Sequence, residues 1–250
     1  MLSFRDCVWG HDMLAVLKLG GSLLYDDKGG ILVDTVREYA KVVASIVKDG
    51  HNMVVVVGGG KTARKFISAA RELGASESQC DWLGIKVARN HAELLGAALG
   101  DLAYPKIVES LDELETAVQF EKVVLMGGLT PGQSTNAAAA LAAETVEANI
   151  LLNATNVEGV YDRNPKLDGA KKLDSVNLDD LTEILSGSGS RAGEYKLFDP
   201  VAIRIVGRSK IPTVIFNGND PKNVLRIIKG ESIGTKIVHD PDKGHKKGDL

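Results

Sequence analysis

The segment VVVVGGGKTARKF, Val54 to Phe66, limits the possible folds more than any other stretch of the chain. Met53 to Val57 is continuously apolar, without the polar residue at every second position that a half-wet strand shows. A strand with no alternation is covered on both faces and belongs in the middle of a mostly parallel sheet. Gly58, Gly59 and Gly60 then break the strand, and helical spacing resumes behind them. A glycine turn that feeds a helix N-terminus, with Arg64 one turn in, forms an anion site, because free backbone N–H groups and the helix dipole point the same way. A glycine-rich turn with no ligand is the plain alternative.

Other short apolar runs repeat the pattern. Leu14 to Leu19, Tyr104 to Val108, Val123 to Met126, Ile150 to Ala154, Thr213 to Phe216 and Thr235 to Val238 read as strands. Between them lie helical patterns over roughly 33–47, 62–73, 79–100, 112–119 and 134–147, where apolar residues recur at three- and four-residue spacing. Residues 156–176 are turn-rich and hairpin-like, 179–185 helical, and SGSGSRAGEY from Ser186 reads as a mobile loop. Asp199–Pro200 and Asp220–Pro221 each place an N-cap before a first-turn proline. Strands alternating with helices predict an α/β chain with a doubly wound, mostly parallel sheet. In such sheets ligands bind beyond the carboxyl ends of the strands.

Composition removes several function classes. The 250 residues carry a formal net charge of −3, and the one basic cluster is at the end, Lys243 to Lys247, so there is no electrostatic footprint for nucleic acid. No apolar run reaches the ~18 residues of a membrane span. The two cysteines, Cys7 and Cys80, make no disulfide framework and fit a reducing cytoplasm. MLAVLKLGGS from Met13 reads as the start of the fold, which leaves 1–12 as an N-terminal extension. The domain then runs over 13–239, and the polar tail over 240–250 is expected to fray.

Four loops at strand ends carry chemistry. Lys18-Leu19-Gly20-Gly21-Ser22 closes the first strand with a lysine and two glycines that let a phosphate approach bare backbone; a tight turn with a surface lysine is the bland reading. Gly58 to Ala63 formally fits the dinucleotide fingerprint G-x-G-x-x-G/A, but that motif lies in the first turn and is followed by a strand with an acid about 20 residues on. Here helical pattern follows, so Asp81 ends no strand. A Walker A motif needs glycine where Val55 stands. Gly127 to Asn136, GGLTPGQSTN, precedes an alanine-rich helix that Ser134 or Thr135 can cap. Thr155 to Pro165, TNVEGVYDRNP, reads by composition alone as a polar hairpin. The five histidines are scattered without zinc spacing. Two anion loops on neighbouring strands plus a lysine suggest phosphoryl transfer, which needs positioning, cations and backbone donors rather than covalent help.

In combination these loops resemble the amino acid kinase superfamily, and within it the archaeal-type uridylate (UMP) kinase branch. The resemblance runs over about 13–239 and rests on KLGGS, VVGGGKTAR, DWLGI, MGGLTPGQSTNAAAALAAE, NATNVEGVYDRNP and FDPVAIRIVGRSKI, in that order. It implies a three-layer αβα sandwich around an eight-stranded sheet. It also implies transfer of the ATP γ-phosphoryl group to UMP with Mg²⁺, in a cytoplasmic homohexamer of pyrimidine nucleotide synthesis. Carried over by position, Lys18 would stabilise the transferring phosphoryl group. Gly20, Gly21, Ser22, Gly60 and Arg64 would hold ATP phosphates, and Thr155, Asn156, Tyr161 and Asn164 the ATP nucleoside. Gly59 would meet the UMP phosphate and Asp81 the ribose hydroxyls. Leu129, Thr130, Pro131, Gly132, Gln133, Ser134 and Thr135 would line the UMP pocket.

The chain departs from that pattern at three positions: Asn136 and Asn164 stand where acids are common, and Arg204 where a lysine is. An asparagine cannot serve as a base, which a reaction dominated by positioning tolerates better than proton abstraction would. Two other readings follow from the same residues. One is a kinase of this superfamily for another small acid or phosphate, such as acetylglutamate or isopentenyl phosphate. The other is a nucleotide-binding relative without catalysis.

Overall fold

In the computed structural model the described residues are 13–163, 165, 167–186 and 197–239. In chain order the strands are β1 (Leu14–Leu19), β2 (Asn52–Val57), β3 (Val124–Met126), β4 (Ile150–Thr155), β5 (Ser175–Asn177), β6 (Thr213–Asn217) and β7 (Thr235–Val238). They form one sheet in the order β3-β2-β1-β4-β6-β7-β5. Pairing is parallel from β3 across to β6; β7 runs antiparallel to β6 and parallel to β5. The carboxyl ends of β1, β2, β3 and β4 therefore share one edge, and the four glycine and polar loops leave from it.

Eight α-helices lie among the described residues: α1 (Val33–Lys48), α2 (Gly60–Glu72), α3 (Glu77–Leu99), α4 (Leu111–Ala117), α5 (Thr135–Thr145), α6 (Leu178–Ser186), α7 (Pro200–Ser209) and α8 (Lys222–Ile228). Period-2 alternation in the buried strands divides the core in two. Ala15, Leu17, Leu19, Val55, Val57 and Leu152 pack with α1, α3 and α8, through residues such as Val43, Leu95 and Ile227. Val16, Val54, Val56 and Leu151 pack with α4, α5 and α7, through Leu114, the alanines of α5 and Val206. The outcome is helices on both faces of a mostly parallel sheet, as the alternation of strands and helices requires. Six alanines of α5 are buried, so a helix without bulky side chains lies close to both the sheet and α7. No helix among the described residues is long and apolar enough to cross a membrane.

Three sequence expectations need correction. Tyr104 to Val108 is not a strand. It touches the β3 segment only through isolated bridges, Ala103 to Val123 and Val108 to Met126. Pro105 between them has no N–H to give to a ladder. The described sheet accordingly has seven strands rather than eight. The hairpin expected over 156–176 is present as the Tyr161–Lys172 bridge, but its end continues into β5, which three residues, Ser175–Asn177, did not signal. At α8 the Asp220 carboxylate accepts from the Lys222 N–H at 3.0 Å, yet the N-cap position itself falls on Pro221. The segments 1–12, 187–196 and 240–250, assigned above to an extension, a mobile loop and a fraying tail, lie outside the described residues, as does Asn164.

One buried hydroxyl fastens α1 to the functional edge. Tyr39, fully buried, donates to the carbonyl of Gly218 behind β6, and a Cβ on Gly218 would sit 2.7 Å from that hydroxyl. Tyr39→Phe should cost about 1–2 kcal/mol of unfolding free energy, because the Gly218 carbonyl loses a buried donor. Denaturant unfolding measures it; a variant as stable as the parent would show that the bond contributes nothing net.

Candidate functional site: a lysine between two glycine loops

Lys18 projects from the end of β1, in register with Val56 of β2 and Asn153 of β4. Strand alternation puts it on the α5–α7 side, two residues beyond Val16. Its Nζ makes no hydrogen bond or ion pair with any described residue. Burial lowers its pKa from 10.5 to about 8, against an opposing pull from the Asp199 carboxylate. The charge is thus carried in a site that disfavours it, which is the condition for a strong response to an incoming anion.

The loops behind β1 and β2 touch backbone to backbone. A Cβ on Gly21 would overlap the Gly58 carbonyl, and one on Gly60 would lie 2.5 Å from the Gly21 carbonyl carbon and 2.7 Å from the Ser22 nitrogen. Gly60 also holds φ at +57°, where an L side chain is strained. Gly58 donates to Leu19 O at 2.8 Å, and Thr135 Oγ1, at the start of α5, would be 3.2 Å from a Cβ on Gly58. Three loops therefore converge on Gly58. Gly20 and Gly59, the residues that open the two following helical turns, have no side-chain cap, so the first N–H groups of α2 are free for an anion. Arg64 is exposed one turn into α2.

The carboxylate that acts on Lys18 is Asp199, which the sequence reading marked only as an N-cap. It does cap α7, its Oδ1 accepting from Val201 N at 3.0 Å and Ala202 N at 3.1 Å. Its Oδ2 accepts from the Ser134 hydroxyl. Ser134 Oγ in turn accepts from Asn136 N at 3.0 Å and Ala137 N at 3.1 Å, capping α5. Two helix N-termini are thus locked together around one carboxylate. Asn136 and Asn153 both donate their amides to Leu197 O at 3.2 Å, fixing the chain two residues before Asp199. Their Oδ1 atoms are buried without a partner among the described residues. The departure at Asn136 thus has a visible role: the amide supplies a donor that an ionised aspartate lacks.

The remaining expected residues divide. Asp81, half-buried on α3, already accepts from Gly132 N at 2.8 Å, which draws the GGLTPGQST loop onto that helix and leaves Oδ1 open. Thr130 and Gly132 are exposed, and Pro131, Gln133 and Thr135 half-buried, along that loop. Leu129 faces the apolar core instead, at 6 % exposure, and the Ser134 hydroxyl is spent on the two caps. Thr155 ends β4 beside β1, where Gly20 N donates to Ala154 O at 3.1 Å. Asn156 is exposed next to it, Tyr161 half-buried in the hairpin, and Arg204 exposed on α7. Two further α3 side chains were missed. Arg89 reaches the carbonyls of Gly128 and Leu129. His91 bonds Gly58 O and the Tyr25 hydroxyl, each at 2.8 Å. A carbonyl can only accept, so His91 Nδ1 carries the proton and Nε2 accepts from Tyr25; burial lowers its pKa despite the Gly58 bond.

Lys18 gives a stability test with a definite sign. Its folded pKa lies below its unfolded value, so the unfolded chain binds the extra proton between pH 8 and 10.5 and stability rises across that window. Below pH 8 the half-buried charge carries its desolvation cost in the ligand-free fold. Lys18→Met should therefore raise the melting temperature of the ligand-free protein at pH 7, with the gain fading towards pH 10.5. A lower melting temperature at pH 7 would contradict the burial of an unpaired charge.

The chain is similar to known proteins over most of its length. Residues 13–217 match the amino acid kinase family. The chain is 44 % identical over 227 residues to the uridylate kinase of Methanothermobacter thermautotrophicus, covering 90 % of this chain and 99 % of that protein. It is 42 % identical over 227 residues to the uridylate kinase of Sulfurisphaera tokodaii, again covering 90 % and 99 %. The crystal structure of the Archaeoglobus fulgidus uridylate kinase matches with a TM-score of 0.81 at 42 % identity, over 90 % of this chain and all of that one. The UMP kinase of Ureaplasma parvum matches with a TM-score of 0.76 at 24 % identity, over 92 % of this chain, a likeness of fold alone. By its motifs, its sheet and these identities, the chain belongs to the amino acid kinase family.

Proposed function

We propose that the protein is a uridylate kinase that transfers the γ-phosphoryl group of ATP to UMP, releasing ADP and UDP. The observation that carries this reading is the contact of two glycine loops beside the unpaired Lys18 ammonium. Loops that touch backbone to backbone can hold two phosphate groups within bonding reach. Relatives above 40 % identity over nine-tenths of the chain carry the name uridylate kinase.

An oxygen of the UMP phosphate attacks the γ-phosphorus, and the bond from that phosphorus to the bridging oxygen of ADP breaks. A phosphate monoester has its second pKa near ~6, so the acceptor is already ionised at neutral pH and no base is needed. That is why Asn136 does not preclude the reaction. Lys18 meets the charge on the equatorial oxygens of the moving group, and the Asp199 carboxylate favours the charged form of the lysine. Gly20, Gly21, Ser22, Gly60 and Arg64 hold the ATP phosphates; Thr155, Asn156, Tyr161 and Asn164 hold its nucleoside. Gly59 meets the UMP phosphate, Asp81 Oδ1 the ribose, and the loop from Leu129 to Thr135 the rest of UMP, with Leu129 and Ser134 supporting it from behind.

Mg²⁺ fits as part of the ATP complex. The described residues contain no group of three or more His, Cys, Asp or Glu side chains able to cage an ion, and Mg²⁺ characteristically keeps waters and binds through substrate phosphates. Bound there, it would neutralise phosphate charge. A cytoplasmic homo-oligomer, hexameric by resemblance and working in pyrimidine nucleotide synthesis, completes the proposal.

ADP release with Mg²⁺–ATP should be fastest with UMP in a panel that includes CMP, dUMP, acetylglutamate and isopentenyl phosphate. Activity on a non-nucleotide acceptor with none on UMP would overturn the reading, and ATP binding without turnover on any acceptor would favour a non-catalytic relative. Lys18→Ala should lower kcat ~10²-fold or more, the usual loss for a transition-state cation; near-normal turnover would remove Lys18 from the chemistry.

A further inference from the structure

The chain leaving β3 lies flat on α3. A Cβ on Gly127 would be 2.7 Å from both Arg89 Cγ and the Arg89 nitrogen, and one on Gly128 2.9 Å from Ile85 Cγ1. That close approach lets one side chain span the loop. Arg89 donates from Nε to Gly128 O at 3.3 Å and from a terminal nitrogen to Leu129 O at 3.5 Å. Its other terminal nitrogen meets Glu109 Oε2 at 2.6 Å. Arg89 is 15 % exposed. Glu109 follows Val108, whose N–H bonds Leu125 O at 2.9 Å, and its own N–H is held by Glu113 Oε2 at 2.8 Å. The anchor is therefore tied to the end of β3 itself. Eight residues back along α3, Asp81 takes the Gly132 N–H. One helix grips the loop at both ends.

We propose that Arg89, anchored by Glu109, is a positioning residue that sets the acceptor loop for UMP. The inference rests on the reading that residues 129–135 line the UMP pocket. Only a planar fork with several donors can hold two successive carbonyls and a carboxylate at once, so lysine is no equivalent. The two carbonyl bonds are at the long end of the hydrogen-bond range while the ion pair is short. A bond that is long in the ligand-free protein has room to tighten when substrate binds. The guanidinium thereby acts on UMP binding and makes no bond to Gly20, Gly21, Ser22, Gly60 or Arg64, which hold the ATP phosphates.

The test is steady-state kinetics on Arg89→Lys, Glu109→Gln and Gln133→Ala, with KM for UMP and for ATP measured separately and melting temperatures recorded. Arg89→Lys should raise KM for UMP about tenfold, the scale of one lost charge-assisted bond, and leave KM for ATP within about twofold. Glu109→Gln should move UMP in the same direction by less. If Arg89→Ala fails to fold, these milder variants decide the matter. Equal rises in both KM values, or no change in KM for UMP, would overturn the proposal, since a purely structural arginine would not separate the substrates. Gln133→Ala separates the two levels. If it raises KM for UMP while the Arg89 and Glu109 variants do not, the pocket reading stands and this inference fails. If it leaves KM for UMP unchanged, the pocket reading fails.

Discussion

The charge of Lys18 is the constraint around which the edge of the sheet is organised. A lysine in a central strand beside Asn153 and Val56 is half-buried and short of water, and no described residue forms an ion pair with it. Desolvation pulls it towards losing its proton. Asp199 prevents that in part, holding the pKa from falling below about 8. Asp199 is in turn held at four points: two N–H groups of α7, the Ser134 hydroxyl, and the Leu197 carbonyl clasped by two asparagines. The alanines of α5 allow this, because a bulkier helix would hold Ser134 away from α7 and from the sheet.

Against that fixed charge the glycine loops supply a second ingredient, free backbone donors at close quarters. Gly21, Gly58 and Gly60 press on one another so closely that any side chain would push the two loops apart. Helix α3 sets where the loops sit. Its Asp81 and Arg89 hold the loop after β3, and its His91 holds the Gly58 carbonyl while accepting from Tyr25 behind β1. Catalysis by positioning requires this kind of framework: the rate depends on where two phosphates are placed, and the placement is built from a helix that need not touch the reacting atoms.

Much of this was legible in the sequence for physical reasons. The unbroken apolar run Met53–Val57 announced a central parallel strand, and the strand ends located four loops on one edge. Asp199–Pro200 and Ser134 announced caps, because local chemistry determines a cap. The Tyr104–Val108 strand failed because its apolar residues are buried in an irregular segment around Pro105. Strand β5 was missed because three residues carry too little period to read. In the site, the residues visible in sequence were those on glycine motifs. Asp199, Arg89 and His91 were not, since their roles arise from pairings across 181, 39 and 33 positions. Asn136 read as a loss until the structure showed its amide bound to Leu197.

The most direct test is titration of the Lys18 side chain itself, followed by NMR on selectively labelled lysine. The ligand-free protein should show one lysine with a midpoint near pH 8, absent in Lys18→Met, and binding of a non-hydrolysable ATP analogue should move that midpoint upward as phosphate charge replaces the lost water. A Lys18 midpoint near 10.5 in the free protein, unmoved by nucleotide, would contradict the account.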